Sequence, residues 1–479
     1  MSKIGHVLLT KSRWYEPDST PQERKLLFKL DLMILTYASF AFFTKFLDVS
    51  ALNNAYVSGM KEDIGMKGND LTYVNAVYES CYCVFQIPIN LLLTAFPTSY
   101  ILPASELGWG IATLGTAFVQ NTHQLMACRG LLGLFAASNY SGCTFVIASW
   151  YKKNERAKRM TLFWISNPIG TAVGGWLQAA IYTNQNLALK SWRILFVVCS
   201  CITIVVSVYG FIALPNLPHD IRSRFLSEEE KQLAVERVSK ENIVTKRKLL
   251  DIKSFVKLLY TWKTPLFAFL LFSQVFSYYP SGTPFTLWLK SRQNLTIPQI
   301  NNIPTGGNAL SLISALFLGW YADTFDDRLT PYVIATTFAI IGNSILVNFN
   351  TSEGAKYTAF LFLFISHGVA PIWQAWASDL TSHNSELRAY SIASGNVASE
   401  VGSLVVPLIV FKVTQSPRFK AGFIFSLVIS IAELFIAISI SFLDKRYPIT
   451  TDINDDDWIP SRRTSGSISV VEYQQAREK

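Results

Sequence analysis

Apolar runs of about twenty residues recur along nearly the whole chain, each long enough to cross a hydrocarbon core of about 30 Å. A windowed reading finds about twelve. The first set is Leu30–Leu52, Leu71–Thr94, Tyr100–Val119, Leu125–Trp150, Arg159–Tyr182 and Trp192–Leu214. After a polar gap come Trp262–Trp288, Gly306–Tyr321, Pro331–Phe349, Tyr357–Ala377, Ala389–Phe411 and Ala421–Leu443. Pro and Gly within several runs are tolerated in membrane helices. The pattern predicts an all-α membrane protein, with twelve transmembrane helices in two six-helix halves. The expected division is a tail over 1–29, halves over 30–214 and 262–443, a linker over 215–261 and a disordered tail over 444–479.

Polar patterning sets the orientation. Both termini are expected in the cytosol, because that topology puts about 30 Lys and Arg inside and about 9 outside. The basic run "YKKNERAKR" (Tyr151–Arg159) is a large part of that bias. The first thirty residues lack the short apolar core of a cleavable signal, so the first span must direct insertion. In the linker, Ser227 followed by Glu230 is a capping-box pattern for a short surface helix, with Lys240 near its end. The sequons at Asn294 and Asn350 fall in loops assigned to the outside, whereas the one at Asn139 falls within a span.

Composition agrees. Half of the 479 residues are hydrophobic and only 16% are charged, against about 25% in soluble chains. The net charge of +9 lies mainly in the cytosolic segments, which argues against a nucleic-acid partner. Cys81, Cys83, Cys128, Cys143, Cys199 and Cys201 all fall in apolar runs without metal-ligand spacing, and read as packing residues. No metal, cofactor or coherent set of catalytic residues is expected, so the chain does not read as an enzyme.

Charged residues inside spans are the candidate chemistry, because an ionised group in hydrocarbon is costly unless paired or wet. At 1.5 Å per residue, Lys45 and Asp48 lie about 21 and 26 Å along the first span. Arg129 lies about 8 Å below the outer end of its own span, at a comparable level. Two arrangements are open. Lys45 and Asp48, at i and i+3, neutralise each other, or Asp48 pairs with Arg129 and frees Lys45 for an anion. Glu79, His367 and Glu400 come out near the midplane, where they and Asp48 are candidates for carrying a proton. Lys45, Arg129, Asn53, Asn54, Asn396, Trp373 and Trp376 are candidate substrate contacts. Glu433 on the last span is expected to be peripheral. Gly170 and Gly174 in "SNPIGTAVGG" read as a close-packing pair.

Three motifs carry a family resemblance. "GWYADTFDDR" places Gly319, Asp323 and Arg328 as G-x-x-x-D-x-x-x-x-R, with Gly319 read as allowing close helix approach. It resembles the conformational-switch loop of the major facilitator superfamily. "LMACRGLLGLFAASNYSG" places Arg129 and Gly133 as R-x-x-x-G, similar to that superfamily's fourth-span motif, where the Arg is linked to proton coupling. "NNAYVSGMKEDIGMKGNDLTYVNAVY" (Asn53–Tyr78) resembles the fungal allantoate-permease family of anion:cation symporters, most of all its pantothenate and biotin transporters. The resemblance implies a proton-coupled carrier of a small organic carboxylate, a monomer in the plasma membrane, with the lipid bilayer, protons and the anion as its partners. It also leaves open another anion (allantoate, nicotinate or a small peptide), or a ligand sensor that does not transport. The chain departs from that family at Val49, where Arg usually follows the first-span acid, and at Ala136, where Glu is common. The charges in the cavity are therefore expected to be rearranged.

Overall fold

The computed structural model describes residues 14–15, 19–184, 188–218, 221, 225–239, 263–381 and 385–446. Lys240 and the tail beyond Arg446 lie outside them. Every regular element among the described residues is helical. The first half holds α1 (Pro21–Asp63), α2 (Asp70–Ala95), α3 (Thr98–Thr116), the pair α4 (Thr122–Ala136) and α5 (Asn139–Trp150), α6 (Lys153–Thr183) and α7 (Ser191–Ala213). The linker contributes α8 (Glu228–Ser239). The second half holds the pair α9 (Lys263–Tyr278) and α10 (Thr283–Lys290), then α11 (Ile297–Phe325) and α12 (Leu329–Val347). It closes with the pair α13 (Glu353–His367) and α14 (Ala370–Leu380), then α15 (Ser385–Val410) and α16 (Lys420–Arg446).

Helices cover the apolar runs. By length and composition, 7 of these segments among the described residues could cross a membrane. Helices such as α2, with Glu79, and α11, with Asn301 and Asn308, are more polar because those side chains turn inward. Large apolar side chains face outward all round, including Trp176, Val205, Phe317 and Phe435 at 60–68% exposure. A surface of that kind suits lipid rather than water.

The halves are joined at one end. There a single apolar cluster combines Leu52, Tyr56 and Met60 of the first half with Phe285, Trp288 and Ile300 of the second. Burying such aromatic and aliphatic side chains contributes roughly 1.5–3 kcal/mol each. Asn301 Nδ2 donates to Ser58 Oγ at 3.0 Å, and Lys290 Nζ reaches Tyr56 O and Glu62, each at 3.3 Å. At the Pro21 end the clusters stay within one half each, one around Leu30, Trp150 and Phe163, the other around Phe267, Trp376 and Ala437. The molecule is therefore a wedge, fastened at the Lys290 end.

Small residues set the closest helix contacts. A Cβ on Gly170 would stand 2.4 Å from Phe43 O of α1, and one on Gly174 2.2 Å from Ser50 Oγ, so both pack as expected. Gly175 does the same across the halves, 2.6 Å from Asn301 O of α11. A Cβ on Gly133 would clash with Tyr78 O of α2. Gly319 corrects its reading: among the described residues nothing lies within 4 Å of a Cβ there, so it brings none of their helices close.

One other expectation changes at the Pro21 end. Residues 21–29 are not tail: Thr20 and Glu23 form a capping box, and Leu26 and Leu27 are fully buried. Two cations of the basic run after Tyr151 are held in ion pairs. Arg159 is bidentate to Asp31 at 2.5 and 2.8 Å, and Lys152 meets Glu23 at 3.2 Å. The linker helix forms with its Ser227–Glu230 box. It is docked by Ala234 and Val238, by Arg237 to Glu23 and Glu155, and by Glu230 to Lys29 at 2.8 Å. Asn294 and Asn350 are exposed in turns, while Asn139 is buried.

Two outcomes follow from this packing. Gly170→Ala overpacks α1 against α6, at a cost of about 1–3 kcal/mol, and lowers the melting temperature in detergent. Gly306→Ala, with nothing within 4 Å of its Cβ, does not. Burial pushes the Glu230 carboxyl up, but the Lys29 ammonium and the Ser227 N–H outweigh this and hold it below the ordinary carboxylate range. Its contribution is therefore complete above about pH 4.3 and is lost as pH falls through the lowered folded value. Hydrogen exchange in Glu228–Ser239, corrected for intrinsic rate, rises over that acid range. In Glu230→Gln the same helix is less protected at neutral pH and loses this acid dependence.

Candidate functional site

Between the halves lies a cavity of about 450 Å³ lined from both sides. Interrupted helices shape it. The α9–α10 break supplies Tyr279, Ser281 and Gly282, the α4–α5 break leads into Tyr140, and the α13–α14 break places His367. Broken helices expose backbone groups that only a polar cavity can satisfy.

The first helix decides which charge faces this space. Lys45 lines the cavity, 8% exposed, its Nζ 3.3 Å from Tyr82 Oη and 4.5 Å from the centre of that ring. Asp48 turns the other way. Its Oδ2 accepts from Trp109 Nε1 at 2.5 Å and Thr113 Oγ1 at 3.0 Å. Positions i and i+3 differ by about 60° around a helix, enough to put one side chain in the cavity and the other into the α3 packing. Of the two arrangements open in the sequence, the self-neutralised pair is not formed. Asp48 and Arg129 act on each other through their charges. Each keeps buried atoms without a hydrogen-bond partner among the described residues: Asp48 Oδ1, and Arg129 Nε and Nη2.

This corrects two placements. Arg129 does not line the cavity; it is 3% exposed within the first half, so it is not placed to touch a substrate there. Asp48 is likewise shut off from the cavity. Glu79 and Glu400 are brought together, one from α2 and one from α15, and both act on Lys45. Glu400 lines the cavity directly. An ammonium and two carboxyls thus share one place at the seam between the halves.

The neutral candidates divide. Asn53, Asn54 and Asn396 line the cavity, and Asn53 accepts from Thr283 Oγ1 at 3.2 Å. Trp373 also lines it, but its N–H is spent on Phe267 O at 3.0 Å, leaving only its ring for a ligand. Trp376 packs between Phe267 and Tyr332 in the core. His367 lines the cavity, with Nδ1 3.1 Å from Ser311 Oγ and its ring 4.3 Å from that of Tyr278. Outside the cavity, Arg328 joins Asp323 at 2.6 Å and Asp379 of α14 at 3.1 Å, tying the switch loop to a neighbouring helix end.

Sequence reasoning missed several residues. Gln274, Asn167 and Asn308 line the cavity, and Gln374 there accepts from Tyr140 Oη at 3.3 Å across the halves. Uncharged side chains raise no alarm in an apolar run. Glu106 did leave a signal, as a lone acid in the third run. It is buried in the first half, accepting from Thr44 Oγ1 at 2.7 Å and Asn139 Nδ2 at 3.4 Å. Glu433 is not peripheral: it is fully buried.

The charge interaction between Asp48 and Arg129 makes a checkable distinction. Arg129→Gln leaves a buried carboxylate uncompensated, so thermal stability falls, and adding Asp48→Asn restores much of it. A substrate ligand would instead change KM with stability intact.

The Major Facilitator Superfamily model matches residues 38–292. The pantothenate transporter liz1 of Schizosaccharomyces pombe is 28% identical, over 90% of this chain and 84% of its own length. The vitamin H transporter of Saccharomyces cerevisiae is 31% identical, over 87% and 73%. A bacterial homologue of the human lysosomal transporter Spinster, solved in an inward-facing conformation, shares the fold at a TM-score of 0.58. It has 12% sequence identity and is matched over 89% of this chain and 98% of that one. The similarity to these carriers along most of both chains, together with the family match, shows that this chain belongs to the Major Facilitator Superfamily and is a membrane transporter, not an enzyme.

Proposed function

We propose that the protein imports a small organic carboxylate together with a proton, with pantothenate and biotin the leading substrates. It does so as a monomer of twelve spans in the plasma membrane, both termini in the cytosol. The wedge is then fastened outside and parted toward the cytosol, which is the releasing state of an importer.

The observation that carries this reading is the charge set of Lys45, Glu79 and Glu400 at the seam. In a region of low dielectric, net charge is costly. Without substrate, Lys45 balances one carboxylate and the other carboxyl holds a proton. A monocarboxylate that binds at Lys45 brings one more negative charge, so the second acid must also be protonated. One proton therefore travels with one carboxylate. Asn53, Asn54 and Asn396 supply hydrogen bonds for the rest of the substrate, and the Trp373 ring supplies an apolar wall. The Arg328–Asp323–Asp379 contact lies within the second half and ties its helix ends together as the halves rock. The likeness to vitamin carriers supports the substrate class.

Uptake of labelled pantothenate, biotin, nicotinate, allantoate and small peptides in cells lacking their own carriers tests the reading. One of the vitamins should accumulate, and a protonophore should collapse the gradient. Accumulation of only another anion would reassign the substrate; binding without uptake would sink the transport reading. Lys45→Ala should lower uptake by at least about tenfold, the effect of losing roughly 1.4 kcal/mol or more of anion binding, with normal surface expression. The double variant Glu79→Gln/Glu400→Gln should keep substrate exchange but lose proton-driven accumulation, whereas either single variant leaves one acid to carry the proton.

A further inference from the structure

Where α9 packs against α12 and α16, polar stripes from the three helices meet. α16 presents Ser426, Ser430 and Glu433 at i, i+4 and i+7, α12 presents Tyr332, Thr336 and Asn343, and α9 presents Gln274 and Ser277. All eight are fully buried. Asn343 Nδ2 binds the three helices together, donating to Ser277 O at 2.8 Å and Ser430 Oγ at 3.1 Å.

Glu433 is the one acid here, beside the hydroxyls of Ser277 and Thr336. Both hydroxyls act on the carboxyl, but neither of its oxygens has a partner at full hydrogen-bond geometry among the described residues, and neither do Thr336 Oγ1 and Tyr332 Oη. Ser277 has already given its proton to Gln274 O at 2.9 Å, so it offers the carboxyl only lone pairs. Thr337, one position on, turns its hydroxyl back to Val333 O at 2.7 Å; Thr336 makes no such bond. The titratable groups facing Glu433 are Tyr332 and Tyr278, and no described Lys, Arg or His stands against it.

A buried carboxylate without a countercharge is costly by several kcal/mol. These donors are all oxygen, the set that hard cations prefer. A single carboxylate balances a single positive charge, which suits a monovalent ion rather than Ca²⁺ or Mg²⁺. We propose that Glu433, with Thr336, Ser277 and Tyr332, forms a sodium-binding site inside the second half, separate from the substrate cavity. Bound there, the ion braces α9 against α12 and α16, and α9 carries Gln274 and Tyr278 to the cavity wall.

The test is the melting temperature of the purified full chain in detergent, titrated with NaCl against choline chloride at equal ionic strength. Sodium should raise it by about 2 °C or more, and Glu433→Gln should abolish the rise. If that variant does not fold, Thr336→Val keeps the fold and should move the rise to higher NaCl. No sodium-specific rise in the unaltered chain would overturn the proposal, since Glu433 would then hold a permanent proton. A rise unchanged in both variants would overturn it too, placing the ion elsewhere.

Discussion

Charge inside a low-dielectric bundle must be neutralised locally, and α1 is where this chain meets that constraint. One helix presents Lys45 to the cavity and Asp48 to the α3 packing, using only the angular offset of three residues. Had the two paired, the cavity would hold two carboxyls and no cation. Because Asp48 is held by Trp109 and Thr113 and faces the charge of Arg129, the Lys45 ammonium stays available. The whole arrangement of the site depends on that division of faces.

The same constraint accounts for the seam between the halves. Glu79 and Glu400 come from different halves, so their protonation bears on how closely those halves approach. The fastening that holds the wedge is mostly apolar, with a few hydrogen bonds such as Asn301 to Ser58. An apolar fastening can part without leaving buried charges behind. The ion pairs at the Pro21 end, by contrast, stay within the first half and its linker helix and hold that unit together.

Glycines show where pattern reading works and where it stops. Gly170 and Gly174 were legible because small residues four apart in an apolar run mark close helix contact, and both meet α1. Gly319 sits in an equally regular motif and meets nothing within 4 Å among the described residues. Gly175, next to a recognised pair, makes the approach to the opposite half. Spacing tells that a face is small; it does not tell which helix comes to it.

The sequence by itself determined the membrane character, the helical elements, the linker helix with its cap and the family, because each rests on local composition, periodicity or motif. It also flagged Lys45, Glu79 and Glu400, since an acid or base in an apolar run stands out against the cost of burying it. Only the tertiary structure decided that Arg129 is turned away from the cavity, that Glu433 is buried rather than peripheral, and that Gln274 and Asn308 line the space between the halves. Those outcomes depend on which face of each helix meets which neighbour. That is set by packing between segments far apart in the chain, and no local pattern records it.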